Sequence, residues 1–257
     1  MVMEICLIAL VFVVLAGLLV AFAGRITSMA LPMIPREVDD KLGAAIFMSV
    51  ETTTSACTAP EALSYVQALG APLEAAVADK SFSFRYFVAD DPIPNAFALP
   101  GGYIIVNRGL VEAAKESAEV AGVLAHELEH VIQRHSTTRA LKQASVSILF
   151  QLFFSGTSLH APAQIYNKFS TSSFSRAQES DADEKGAALL VRAGIDPAAL
   201  GRFLTRISEG SVNIPEWLSS HPDSPVRAHA LEAYSLGGPP VELPSLSSFR
   251  CHPEKAE

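Results

Sequence analysis

Between Glu116 and Arg134 the chain reads ESAEVAGVLAHELEHVIQR, with no proline and no glycine after Gly122. Val120, Val123, Leu124, Leu128 and Val131 recur at three- and four-residue steps, which predicts a helix with one apolar face. Within it stands His126-Glu127-Leu128-Glu129-His130. Residues four apart on a helix lie one above the other, so the two imidazoles point the same way about one turn apart. Such a pair can bind one tetrahedral Zn²⁺ and leave positions for a carboxylate and a water. Glu127 then stands where it can take a proton from that water, the arrangement of a metal-dependent hydrolase. The competing reading is a solvated helix face with ordinary i,i+4 contacts. Helical angles leave the acting glutamate open. At ~100° per residue, Glu127 and Glu129 lie ~80° to either side of the line joining the histidines. The order of the motif favours Glu127.

A two-histidine site needs a third protein ligand. The continuation H-x-x-G-x-x-H fails here, because the chain has Gln133 and Ser136 at the required positions. His135 is no substitute on a continuous helix, where it projects ~180° away from His126. Downstream, Ser175–Asp183 (SRAQESDAD) runs into a helical pattern over Glu184–Gly194. Glu179 and Asp183 are i and i+4, so both can face the first helix. One carboxylate can bind the metal while the other accepts a hydrogen bond from a ligating imidazole. An acidic helix start, favoured by the macrodipole, is the plainer alternative.

Together with their flanks, these motifs resemble family M48, the membrane-associated zinc metallopeptidases of the Ste24/HtpX/Oma1-like, gluzincin type. The matching pieces are Asn95-Ala96-Phe97-Ala98-Leu99-Pro100-Gly101-Gly102, then His126–His130, then Ser175-Arg176 with Glu179 and Asp183, then His221-Pro222 with Arg227. They span about Val38 to Tyr234. The resemblance implies an α+β, mostly helical, zincin-like metalloprotease domain with a small sheet or hairpin beside the active-site helix. It implies one Zn²⁺ per chain on His126, His130 and Glu179, with Glu127 as general base and Asp183 bonded to a ligand. It puts His221 and Arg227 near the metal, either stabilising an oxyanion or, for His221, filling zinc's open position and keeping the enzyme latent. Asn95, Ala96, Phe97 and Ala98 become a strand edge that holds the substrate backbone. The substrates implied are proteins or peptides, in membrane or envelope quality control. A non-catalytic, zinc-bound, chaperone-like scaffold on the same fold is the alternative. One departure is Glu129, where such proteins often have a small residue.

Ile5–Gly24 carries no charged residue and is long enough to cross a bilayer as one helix. A cleaved signal peptide is the rival, since Ala21-Phe22-Ala23 resembles a cleavage site, although no Lys or Arg precedes the run. The expected layout is therefore a transmembrane anchor over 1–24, a linker over 25–37, a peptidase domain over 38–240 and a tail over 241–257. Arg25, Arg36 and Lys41 follow the span, which leans toward a cytoplasmic domain. Cys57 and Cys251 lean the other way, because a bridge between them needs an oxidising compartment such as the periplasm. Two buried thiols need none. The single-anchor architecture of similar bacterial proteins favours the extracytoplasmic side.

Further helices are expected near Val38–Thr53, Pro60–Ala68, Gln164–Ser172, Glu179–Ala193, Pro197–Ile207 and Pro225–Tyr234. Ser81–Asp90 reads as a strand, and Asn95–Leu99 with Tyr103–Val106 as a hairpin. Leu149–Phe154 (LFQLFF) is an apolar patch too short to span, either core or dipping into a membrane surface. The formal charge of −8 without a basic cluster argues against nucleic acid as partner.

Overall fold

Helices dominate the computed structural model, which describes residues 31–143, 172–209, 220–221 and 224–253 and contains one small sheet. Helix α1 (Arg36–Thr53) buries Val38, Leu42, Ile46 and Val50, one side chain per turn. Helix α2 (Pro60–Ala76) has Pro60 at its first position, where the missing N–H is no loss. The sequence pattern ends this helix at Ala68, ahead of Gly70 and Pro72, yet it continues for two more turns. Leu69 and Leu73 are fully buried and extend the stripe of Ala62 and Val66. Burying two leucines contributes ~3–6 kcal/mol, which offsets the ~3 kcal/mol that an interior proline costs.

Strands β1 (Arg85–Ala89), β2 (Ala96–Ala98) and β3 (Tyr103–Asn107) form a sheet in the order β1-β3-β2. β1 runs parallel to β3 with Arg85 opposite Tyr103; β2 runs antiparallel to it with Phe97 opposite Ile105. The expected hairpin is β2–β3, turning through Pro100-Gly101-Gly102. Gly101 and Gly102 have φ of 71° and 86°, a region that side chains disfavour. Gly43 of α1 lies over this turn, where a Cβ would come within 1.8 Å of the Pro100 carbonyl oxygen.

Next come α3 (Arg108–Ala113), α4 (Ser117–Ile132), α5 (His135–Gln143), α6 (Arg176–Arg192), α7 (Ala198–Glu209) and α8 (Ser224–Glu232). α4 sits at the centre, packed by α2, α6, α7 and β2. Its expected apolar face is buried, but so are His126, Glu127, Glu129 and His130 on the remainder. A helix buried all round must satisfy such groups inside the protein. α6 starts one turn before the expected Glu179, because Ser175 and Gln178 form a reciprocal capping box. The main core surrounds α4; a smaller one of Leu42, Ile46, Val50, Phe97, Leu99 and Ile105 joins α1 to the sheet.

Cys57 and Cys251 form a disulfide. The N–H groups of Thr58 and Ala59 donate to the Cys251 carbonyl, and Leu243, Leu246 and Phe249 pack on the main core. Residues 241–253, expected as a tail, thus lie against the domain. The anchor expected over 1–24, the Leu149–Phe154 patch and the helix expected over Gln164–Ser172 lie outside the described residues, apart from Ser172, which is not helical. Among the described residues, no helix is long and apolar enough to cross a membrane.

Candidate metal centre

α4 and α6 lie side by side, and their polar residues meet between them. The Nε2 atoms of His126 and His130 are 2.9 Å apart. Glu179 brings Oε2 to 3.6 Å from His126 Nε2 and Oε1 to 3.4 Å from His130 Nε2. His221 adds Nδ1 at 3.2 Å from His126 Nε2 and 3.0 Å from Glu179 Oε1. All four residues are buried, and one potential ligand atom from each lies within 4.8 Å of the others.

Hydrogen bonding around this group decides which atoms are available. Asp183 Oδ1 lies 2.9 Å from His126 Nδ1, and a carboxylate only accepts, so Nδ1 carries the proton. His126 Nε2 then presents its lone pair toward His130, Glu179 and His221. Arg227 donates from Nε to Asp183 Oδ2 at 2.5 Å, from Nη2 to Asp183 Oδ1 at 2.8 Å, and from Nη1 to Glu179. Phe174 stacks on the His130 ring at 3.8 Å, with the Arg139 guanidinium on Phe174 at 4.5 Å.

Electrostatics favour a cation at the centre. Burial, reinforced by the charge of His126, holds His130 well below the ordinary histidine range. Burial also pulls His126 down, but the Asp183 hydrogen bond and the Glu179 charge outweigh it and raise the group. Burial would raise Glu179; the His221 charge and hydrogen bonds from His130 and His221 instead hold it well below the carboxylate range. Imidazole nitrogens and a carboxylate converge in a buried site, a donor set that suits a divalent ion.

Glu127 supplies the independent fit. It is fully buried, neither of its carboxylate oxygens has a hydrogen-bond partner among the described residues, and Oε1 is 3.4 Å from His221 Nε2. A buried carboxylate of this kind is what a metal centre that binds water needs beside it. Glu129 turns elsewhere. It accepts from Gln133 Nε2 at 2.9 Å, feels the charge of Lys185, and burial raises its pKa. The two glutamates that helical angles leave equivalent thus have different neighbours on the two sides of α4.

The candidate residues His126, Glu127, His130, Glu179, Asp183, His221 and Arg227 all come together here. Asn95, Ala96, Phe97 and Ala98 lie on and just before β2, which packs on α4 at the sheet edge. His135 is the residue that sequence reasoning set aside. Its Nδ1 is 3.1 Å from His130 Nδ1, and burial pushes its pKa down to about 4. The reason is Arg134, whose φ of 56° ends α4 and redirects the chain. Neither Gln133 nor Arg134 is a residue that advertises a left-handed helix end.

Residues 63–235 match the model of Peptidase family M48. The chain belongs to this family. It is 33% identical over 173 residues to a putative beta-barrel assembly-enhancing protease of Vibrio cholerae, covering 62% of this chain and 36% of that protein. It is 32% identical over 153 residues to the mitochondrial metalloendopeptidase OMA1 of Arabidopsis thaliana, covering 59% and 32%. The Schizosaccharomyces pombe OMA1 is 33% identical over 154 residues, covering 57% and 45%. This M48 chain thus spans less than half the length of each of these relatives. The family match includes both α4 and α6, so it covers all the donors gathered between them.

Proposed function

We propose that this chain is a zinc-dependent endopeptidase that hydrolyses peptide bonds in proteins, with His126, His130 and Glu179 holding one Zn²⁺. The observation that carries this reading is the convergence of buried donors beside Glu127, a buried carboxylate with no hydrogen-bond partner among the described residues. When bound, the ion supplies Lewis acidity toward a water and toward the scissile carbonyl. Glu127 accepts the water proton and later delivers it to the leaving amine. Asp183 fixes the tautomer of His126 by accepting from Nδ1. Arg227, with Nε, Nη1 and Nη2 engaged on Asp183 and Glu179, clamps the two carboxylates. His221 faces Glu127 with Nε2 and shares the donor set with Nδ1. That sharing favours the latent role, in which His221 competes for the position a substrate needs. β2 is the terminal strand of the sheet beside α4, and adding the substrate backbone there as a further strand requires its buried residues Ala96, Phe97 and Ala98 to be uncovered.

The apolar run Ile5–Gly24 would serve as a membrane anchor, and the domain works on the extracytoplasmic side, a placement supported by the Cys57–Cys251 bridge. Thiol counting under denaturing, non-reducing conditions should find neither of these cysteines free; two free thiols would remove that support. The substrates are membrane or envelope proteins under quality control, in keeping with relatives named for beta-barrel assembly. A chaperone-like scaffold is disfavoured because binding alone has no use for the Glu127 carboxylate. Metal removal tests the activity. Dialysis against a zinc chelator should abolish casein hydrolysis, and added zinc should restore it; hydrolysis that survives complete zinc removal would end the proposal.

A further inference from the structure

Arg134 is a non-glycine residue with φ of 56°, a strained conformation that persists only where surroundings enforce it. Here the enforcement is visible. The Arg134 guanidinium donates to both oxygens of Asp39 on α1, at 2.9 and 2.8 Å. Its Nη1 also donates to the carbonyls of Leu31 and Ile34, at 2.7 and 2.9 Å. The consequence is the placement of the next residue. On an unbroken helix, His135 would project ~140° away from His130. The left-handed step starts α5 instead, and the two imidazoles meet with ring centroids 5.2 Å apart.

We propose that His135 is the positioning residue of His130, accepting the His130 Nδ1 proton and so aiming His130 Nε2 into the metal-binding donor set. The inference rests on the metal reading above. Two Nδ1 atoms at 3.1 Å need one donor and one acceptor. If His130 binds through Nε2, its proton sits on Nδ1, and His135 must offer a lone pair there. His135 then carries its own proton on Nε2, the atom that lies 3.6 Å from Asp181 Oδ2. The same Asp181 oxygen accepts from Lys185 Nζ at 2.9 Å, and Lys185 also donates to Gln133 Oε1 at 2.6 Å. Donor and acceptor roles are thus consistent along the whole line from His130 to Lys185. A ligating histidine is ordinarily oriented by a carboxylate, a carbonyl or a water. Asp183 does this for His126; an imidazole backed by a carboxylate does it for His130.

The test is zinc affinity of the full chain, measured by competition with a chromophoric chelator. His135→Leu removes the acceptor and should weaken zinc binding by about 10- to 100-fold. His135→Asn places an amide oxygen where Nδ1 stood and should recover most of that loss. Thermal unfolding of the metal-free forms shows whether a general loss of stability lies behind any change. Leu and Asn variants that lose affinity equally, in step with metal-free stability, would assign His135 a structural role and overturn the inference. A Leu variant that binds zinc like wild type would also overturn it, while leaving the metal reading intact. A wild-type chain that binds no zinc would overturn the metal reading and this inference with it.

Discussion

Glu127→Gln should lower casein turnover by about 10²- to 10⁴-fold while the chain keeps its zinc and its fold, as elemental analysis and thermal unfolding would record. The amide has the shape of the carboxylate but cannot take a proton. Among the described residues Glu127 has no hydrogen-bond partner to lose, and its contact with His221 Nε2 at 3.4 Å can be met by an amide oxygen, so the fold should be kept. Loss of turnover without loss of zinc separates a hydrolase from a scaffold, whose phenotype would persist. The same assay distinguishes the roles of His221. His221→Ala should cleave a model peptide faster than wild type if the ring blocks the site; a large loss of turnover would make it a catalytic donor instead.

Arg227→Ala should destabilise the metal-free chain by ~3–5 kcal/mol, because it strands Asp183 and Glu179 together in a buried site. Chemical denaturation of the metal-free protein measures this directly. Zinc offsets part of the stranded charge, so the loss should be smaller in the zinc-loaded form. Arg227→Lys should recover only part of it, since an ammonium lacks the fork that reaches both carboxylates. Acid dependence follows from Asp183. Burial would raise its pKa, but hydrogen bonds from Arg227 and His126 hold it below the ordinary carboxylate value. A carboxyl depressed in the folded state contributes stability above its unfolded pKa of ~4, and that contribution is lost as pH falls through the folded value. The gap between wild type and Arg227→Ala should therefore narrow on acidification below pH ~4. A gap that is small at neutral pH, or constant with pH, would contradict the clamp.

The legible parts of this chain were the regular ones. His126 with His130 and Glu179 with Asp183 are i,i+4 pairs within helices, so each pair's shared face could be read from spacing, and the two helices do meet. The β2–β3 hairpin announced itself through Pro100-Gly101-Gly102. Less regular features escaped for identifiable reasons. The choice between Glu127 and Glu129 depends on neighbours such as Gln133 and Lys185 that come from packing, not from helical angle. α2 outran Pro72 because leucine burial overrode local propensity. His135 was set aside because the left-handed turn at Arg134, whose side chain pairs with Asp39 some ninety-five positions away, is not marked by a glycine or asparagine.

Zinc content per chain, after equilibration of each protein with the same buffered zinc concentration, reaches the central claim most directly. Wild type and Glu127→Gln should each retain one zinc, whereas Glu179→Ala and His130→Ala should retain far less and hydrolyse no casein. A Glu179→Ala chain that keeps its full zinc and hydrolyses casein at the wild-type rate would contradict the account.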